Sequence, residues 1–296
     1  MTNMKEVHAK AEQFIYSHAR LLDRRRYAYH FGQGTAEEVL EALRPYQNAD
    51  GGFGSALEPD IRTPASQPVA TELALHVMDE VGIFDLQMLQ GVRLYLENTV
   101  IPGTGGWPLA TRSILEGPRA PWWNIEDDTS PSLNPSGQLL ALLYKQQADT
   151  SFHHEAWFSQ SDAFVRSRLL EADRKDYHDV IQCIAFVRHA PGDVRTQQME
   201  SLLLEWLASD ELVERDPYQS GYRHKILDWF PSPDSFGASH VPKELLAVHL
   251  EALVAQQQED GGWPLPWDAI SPACLNEWRG MRAVDNLRVL KAYGRL

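Results

Sequence analysis

Four acidic residues, Glu58, Asp60, Asp127 and Asp128, lie in proline-containing segments, and two tryptophans shortly precede the second pair. A carboxyl group that such surroundings desolvate can keep its proton near neutral pH and act as a general acid. Paired carboxylates can instead act as the acid and the base that cleave a glycosidic bond. The non-catalytic alternative for Glu58 and Asp60 is helix capping with an ion pair to Arg62, and for the other two a solvated acidic loop.

Aromatic side chains adjoin several of these segments and predict that a ligand binds there. Trp278 and Arg279, near the start of the last predicted helix, are suited to an anionic or flat group, whereas Glu277 beside them is equally suited to the positive end of the helix. Aromatic faces stabilise carbocations and also stack on sugar rings, so they do not identify the ligand. The tryptophans assigned to substrate binding are Trp107, Trp122, Trp123, Trp267 and Trp278.

No motif in the sequence indicates a metal or a cofactor. His153 and His154 form an isolated pair, and Asp127 and Asp128 lack the third aspartate of an Asp-Asp-x-x-Asp pattern. No P-loop, dinucleotide fingerprint or Gly-x-Ser-x-Gly sequence occurs. The sequence therefore predicts a site without a metal ion and without a cofactor.

The composition limits the class of partner. The 41 acidic and 27 basic residues leave a net charge of −14, which repels phosphate backbones, so nucleic-acid binding is not expected. No apolar run approaches the ~20 residues that span a bilayer, and the start of the chain lacks a signal-peptide core. Two cysteines provide no disulfide framework, so the predicted location is the cytoplasm.

The apolar residues recur at helical spacing, which predicts about ten helices and no strand. These helices must position the candidate residues. Thr35 and Glu38 form a predicted capping box, and Asp85 is a predicted helix cap. Two long irregular segments, 108–133 and 214–240, interrupt the pattern. The predicted helices cover residues 5–29, a short stretch after residue 35, and residues 68–82, 85–99, 135–147, 153–171, 175–189, 194–209, 242–258 and 276–294.

A repeated motif, Gln-x-x-Asp-Gly-Gly-aromatic, closes two of the helical segments. It occurs at 47–53 and at 257–263, and a degenerate copy with only the glycines and the aromatic lies at 104–107. Glycine at a helix end takes the left-handed conformation, and aspartate caps backbone amides in the turn. We expect the glutamine to bind main-chain groups of the next helical hairpin, so the motif is structural.

The motif resembles the repeat of squalene–hopene and oxidosqualene cyclases and of protein prenyltransferase β subunits. Phe53 and Trp107 lie about 54 residues apart and Trp107 and Trp263 about 156, which is about three such steps and signals stacked repeat units. The resemblance implies an α/α toroid, an inner ring of helices inside an outer ring. We therefore predict an all-α fold with five or six helical hairpins in a single domain over residues 1–296.

The resemblance also implies where a site would lie. In those toroids the loops after the motifs meet at one rim, which here brings together residues 58–66, 108–134 and 264–275. Class II terpene cyclases protonate an alkene with an Asp-x-Asp-Asp motif, and residues 126–129 resemble its end. Aligned by the helix start, however, Asn134 occupies the acid position, and an amide cannot protonate an alkene. Either the acid then comes from the other rim carboxylates, or the chain is not a class II cyclase, and Asn134 is a candidate for substrate binding.

The resulting hypothesis is a small terpenoid-cyclase-like enzyme that acts on an isoprenoid substrate by acid-initiated cyclisation or isomerisation. The zinc-binding Asp-x-Cys pattern of prenyltransferase β subunits is missing before Cys183 and Cys274. One alternative is a carbohydrate-active hydrolase or lyase that uses the same carboxylates and tryptophans. The other is a non-catalytic toroid that binds a ligand or partner.

Overall fold

A computed structural model describes residues 3–296 and confirms the predicted all-α fold. Within these residues twelve α-helices form, together with short 3-10 turns and isolated bridges but no strand. None of these helices is both long and apolar enough to cross a bilayer. The helices are α1 Met4–His18, α2 Leu21–Phe31, α3 Ala36–Leu43, α4 Pro68–Val81, α5 Leu86–Thr99, α6 Leu133–Lys145, α7 Ala156–Arg168, α8 Tyr177–His189, α9 Val194–Leu207, α10 Ile226–Trp229, α11 Lys243–Ala255 and α12 Pro272–Ala292.

The predicted helix over residues 5–29 is wrong as a single element, because the chain turns at Ala19 and Arg20. Both residues have extended backbone, with ψ of 160° and 159°. Gly280 of α12 packs so closely on Ala19 that an added Cβ would lie 2.5 Å from the Ala19 Cβ. The turn lets α1 and α2 both contact α12. The capping box of Thr35 and Glu38 is confirmed, with bonds of 3.1 and 3.3 Å.

Backbone contacts divide the chain into two compact units. The first unit comprises the residues up to Val39 together with Leu204–Leu296, and the second comprises Leu40–Leu203. The toroidal arrangement and the single domain over residues 1–296 stay predictions. In the first unit α1, α2 and α12 enclose an apolar core of Val7, Ala11, Phe14, Ile15, Ala19, Tyr27, Trp263, Ala283, Val284 and Leu287.

The second unit is built around α6, which packs against α4, α7 and α8. The approach to α8 is close because Gly137 has no side chain. A Cβ added there would lie 2.8 Å from the Cβ of Gln182. This contact brings the polar residues near the start of α6 against those of α8.

The repeat motif of the second unit forms the turn that the sequence predicts. Gly51 has a left-handed φ of 88°, and the Gly52 N–H donates to Oδ1 of Asp50 at 3.0 Å. The amide of Gln47 donates to the carbonyl of Gly51 and to that of Met88 in α5, both at 2.9 Å. The predicted role of the glutamine as a tie to the next hairpin is therefore confirmed in this unit.

The motif of the first unit repeats this geometry and adds a buried cation. The Gly262 N–H donates to Oδ1 of Asp260 at 3.1 Å, and Gln257 donates to the Val7 carbonyl in α1 at 2.9 Å. Arg279, which is 8% exposed, donates to both carboxylate oxygens of Asp260 at 2.7 and 2.8 Å. These bonds, followed by the positive charge, lower the pKa of Asp260 below its usual value. Arg279, which lies on α12, thus connects the turn of the motif to that helix.

At Asp50 the contribution of the cap to stability can be measured without a buried ion pair, because the other partner of Asp50 is the hydroxyl of Ser66 at 2.7 Å. We expect Asp50→Ala to lower the free energy of unfolding by about 0.5–2 kcal/mol, the usual value of a lost side-chain cap. Urea denaturation measures this change, and ligand binding by the folded variant should be unaltered. A fully stable variant that no longer binds ligand would show that Asp50 belongs to a site instead.

Candidate active site

The loop that carries Glu58 and Asp60 pairs with the segment 108–134. The Ala120 N–H donates to the Asp60 carbonyl oxygen at 3.0 Å, and the side chain of Asp60 is buried while that of Glu58 is half-buried. Two of the three segments predicted to share a rim therefore lie side by side. The third, 264–275, belongs to the other unit, so the common rim stays a prediction.

Asp127 and Asp128 bind the backbone of their own segment. Asp127 is exposed and accepts hydrogen bonds from the hydroxyl and the N–H of Thr129 at 2.6 and 2.9 Å. These bonds, with further ones from Ser130, hold the pKa of Asp127 down to about 2. An acid with this pKa is ionised at neutral pH, which argues against Asp127 as a proton donor. Asp128 is half-buried and accepts the Arg112 N–H at 2.8 Å.

The predicted tryptophans of the second unit lie in three different environments. Trp107 is fully buried and donates its indole N–H to the Leu96 carbonyl at 3.0 Å, which is a core position. Trp122 is 51% exposed. Trp123 is half-buried against an apolar cluster that includes Ile61, and its indole N–H has no hydrogen-bond partner. A ligand role fits Trp122 and Trp123 better than it fits Trp107.

Asn134 belongs to a polar network that connects α4, α6 and α8. The amide of Gln182 donates to Oδ1 of Asn134 at 3.2 Å and to Oε1 of Glu72 at 3.5 Å, and its oxygen accepts the Gln138 N–H at 2.6 Å. The same oxygen of Glu72 lies 3.5 Å from Nε2 of His76. Gln138, Gln182 and Glu72 are buried, whereas the His76 side chain is 40% exposed. The network therefore presents an imidazole that a buried carboxylate holds in place.

This arrangement raises the pKa of His76. Desolvation by the surrounding protein opposes the charged form although the side chain is 40% exposed. The hydrogen bond to Glu72 and its charge, followed by a hydrogen bond to Gln138 and the charge of Asp79, outweigh this effect. The interactions that raise this pKa stabilise the folded protein while His76 is protonated. Their contribution is fully present below the unfolded-state pKa of about 6.5 and is lost as pH rises through the folded-state pKa. His76 is therefore expected to be protonated at a higher pH in the folded protein than in the unfolded chain.

Glu72→Gln should lower the pKa of His76, because it removes the charge that favours the imidazolium. The measurement is an NMR titration of the His76 imidazole. Glu97→Gln, at an exposed position of α5, is the matched control and should leave that titration unchanged. A His76 titration that is identical in the parent and in the Glu72 variant would refute the assignment.

In the first unit two predicted tryptophans, Trp267 and Trp278, come into contact. Their ring centroids lie 5.3 Å apart with the planes nearly perpendicular. Tyr222 contacts Trp267 at 5.7 Å and His224 at 4.8 Å, and His224 contacts Trp229 at 6.3 Å. Five rings therefore form a continuous series from α10 to α12.

Asp228, next to Trp229 in α10, is an acid that the sequence patterns did not single out. Asp228 is exposed by its accessible surface, yet the protein atoms packed around its carboxyl group desolvate it in part and raise its pKa. The Lys225 N–H, which donates to Oδ2 at 2.7 Å, and the charges of Arg282, Lys225 and His249 oppose this effect without cancelling it. The Asp228 carboxyl therefore keeps its proton to a higher pH than an ordinary aspartic acid does.

Two of the residues predicted to bind substrate flank Trp278 on α12. Arg279 directs its guanidinium to Asp260, to Oε1 of Gln258 at 2.6 Å and to the Trp263 carbonyl at 3.1 Å. This engagement favours a structural role for Arg279 over ligand binding. Glu277 is half-buried, and its ligand role stays a prediction.

The sequence did contain a signal for Asp228. Leucine precedes it and Trp229 and Phe230 follow it, so an acid is flanked by large apolar residues on both sides. Such flanks indicate that the chain packs against the core at this point, where a carboxyl group is desolvated. The four residues of α10 are too few to show helical periodicity, and the segment therefore reads as irregular.

No protein-family model, curated protein or solved structure matches this chain. The resemblance of the repeat motif to terpenoid cyclases and prenyltransferases therefore stays an expectation that rests on the motif residues. Among residues 3–296 no group of three or more histidine, cysteine, aspartate or glutamate side chains is arranged to hold a metal ion.

Proposed function

We propose that this protein is a terpenoid-cyclase-like enzyme that protonates a carbon–carbon double bond of an isoprenoid, with Asp228 as the acid. The observation that carries the proposal is a carboxyl group with a raised pKa beside a series of aromatic rings. An acid that initiates such a reaction must hold a proton near neutral pH. The pKa of Asp228 is shifted upward, in the direction that this requirement needs, whereas the pKa of Asp127 is shifted downward.

The proposed reaction is a proton transfer followed by rearrangement. The O–H bond of Asp228 breaks, and the π electrons of the alkene form a new C–H bond, which leaves a carbocation on the neighbouring carbon. The faces of Trp267, Trp278 and Tyr222 are suited to stabilise that cation. Transfer of a proton from an adjacent carbon to the Asp228 carboxylate then gives an isomerised or cyclised alkene and restores the acid, and nothing is oxidised or reduced.

Glycoside cleavage is the second candidate, and the same acid favours it. A carboxyl with a raised pKa can protonate a glycosidic oxygen, and tryptophan faces stack on sugar rings. In that reaction the new O–H bond forms on the leaving group and water adds to the anomeric carbon. The two candidates differ in the atom that receives the proton, which is carbon for the alkene and oxygen for the sugar.

Isotope labelling tests this difference across whole panels of candidate substrates. The full-length protein is incubated in D₂O with squalene, geranylgeraniol and other isoprenoids, and in H₂¹⁸O with an oligosaccharide panel. Deuterium on carbon, found by mass spectrometry and missing with heat-denatured protein, would support the proposal. New reducing ends that carry ¹⁸O would overturn it in favour of glycoside hydrolysis. A ligand that raises the melting temperature without either label would overturn both in favour of a binding role.

A further inference from the structure

One side of α12 in the first unit carries nitrogen atoms that lack hydrogen-bond partners. Trp278, Arg282 and Asn286 follow one another at intervals of four residues, which places them on one face of the helix. Nε1 of Trp278, Nε of Arg282 and Nδ2 of Asn286 are each buried and without a partner. The same is true of Nε1 of Trp267, whose ring contacts Trp278.

Leaving these atoms without partners is costly, so their grouping calls for an explanation. A buried donor without a partner costs about 1–3 kcal/mol, and native proteins keep few of them. The indole of Trp263 in the same unit, by contrast, donates to the Leu253 carbonyl at 2.7 Å. The four donors near α12 are thus placed for a group that the chain itself does not supply.

The chemistry of the four atoms defines that group. An indole N–H, a guanidinium Nε–H and an amide NH₂ are all donors, so the ligand must offer acceptors. Arg279 and Arg288, on the same helix, each form an ion pair with an aspartate, but Arg282 forms none among residues 3–296. Because Arg282 has no ion-pair partner among these residues and its Nε is without a hydrogen-bond acceptor, its positive charge is available to an anion.

We propose that this face of α12 is a subsite for an anionic oxygen head group, either a carboxylate or a phosphate. The identification of the ligand as an isoprenoid that carries such a head rests on the proposed function. The subsite itself rests on the four donors. Consecutive donors on α12 lie about 6 Å apart along the helix axis, so one small anion spans Arg282 and one neighbour. Arg282 therefore carries the charge recognition, and Trp278 and Asn286 flank it.

Three probes with the same C15 chain test the subsite: farnesyl phosphate, farnesoic acid and farnesol. Their dissociation constants are measured by calorimetry on the full-length protein. At least one anion should bind about 10- to 100-fold more tightly than the alcohol, the effect of a charge-assisted hydrogen bond, and the tighter of the two identifies the head group. Arg282→Met should abolish this preference and leave farnesol binding nearly unchanged, and Arg282→Lys should restore part of it.

Arg288→Met is the matched control, because it removes a cation from the same helix outside the proposed face. If Arg282→Met does not fold, Asn286→Leu replaces it and should reduce the preference for the anion by a smaller factor. Equal affinities of all three probes for the parent protein would overturn the subsite, as would an Arg282 variant that loses all three equally. Arg282-dependent anion binding without deuteration of any isoprenoid would refute only the proposed function. Deuteration that no Arg282 variant alters, together with no anion preference, would refute only the subsite.

Discussion

Asp228→Asn should reduce deuterium incorporation into an isoprenoid about 10²- to 10⁴-fold, the usual contribution of a general acid. The amide oxygen of asparagine can still accept the Lys225 N–H, which donates to Asp228 at 2.7 Å, so α10 keeps its cap. The amide cannot donate a proton to carbon. The variant should therefore fold and bind ligand like the parent while losing turnover.

The matched control is Asp128→Asn, which makes the same change at an acid that accepts the Arg112 N–H at 2.8 Å. Turnover of that variant should stay within a few-fold of the parent. The rate should also fall as pH rises through the raised pKa of Asp228, because only the protonated acid can react. An Asp228→Asn protein with parental turnover would exclude Asp228 as the general acid. Loss of activity in Asp128→Asn instead would identify Asp128, one of the predicted rim carboxylates, as the acid.

Asp260→Ala should be among the most destabilising single changes in the chain, with an expected loss of about 3 kcal/mol in the free energy of unfolding. The change leaves Arg279 buried with an uncompensated charge, since its guanidinium side chain is only 10% exposed. Gln258 and the Trp263 carbonyl still accept from it, and the Asp260 side chain was 45% exposed, so the value lies at the low end for a buried pair. Asp50→Ala, at the matching position of the other motif, should cost less.

A second substitution separates the buried charge from the lost cap. Asp260→Ala combined with Arg279→Met should be more stable than Asp260→Ala alone, because the unpaired cation is gone. The pKa of Asp260 is lowered by Arg279, so this stabilisation is present above the unfolded-state pKa of about 3.9 and is lost as pH falls through the folded-state value. Urea denaturation of the four proteins measures the coupling. Strictly additive losses would show that the ion pair does not account for the effect.

The sequence alone predicted the all-α class and most of the helices. Apolar spacing is a local property that burial of one helix face imposes, so it can be read without the fold. The cap at Asp85 and the start of α4 at Pro68 were likewise predicted, because capping depends on residues a few positions apart. The same holds for the glycine–aspartate turns of the repeat motif, whose bonds lie within a few residues.

The environment of each candidate side chain could be decided only by the tertiary structure. Arg279 was predicted to bind a ligand and Asp127 to donate a proton, yet Arg279 pairs with a motif aspartate 19 positions away and Asp127 is exposed with a pKa of about 2. Desolvation depends on all the atoms that surround a group, and most of those come from distant parts of the chain. Desolvation raises the pKa of Asp228 in this way, against the opposing charge of Arg282 from a distant part of the chain. Residue type and spacing predict which groups are able to react, and packing between remote segments decides which of them is held in the reactive state.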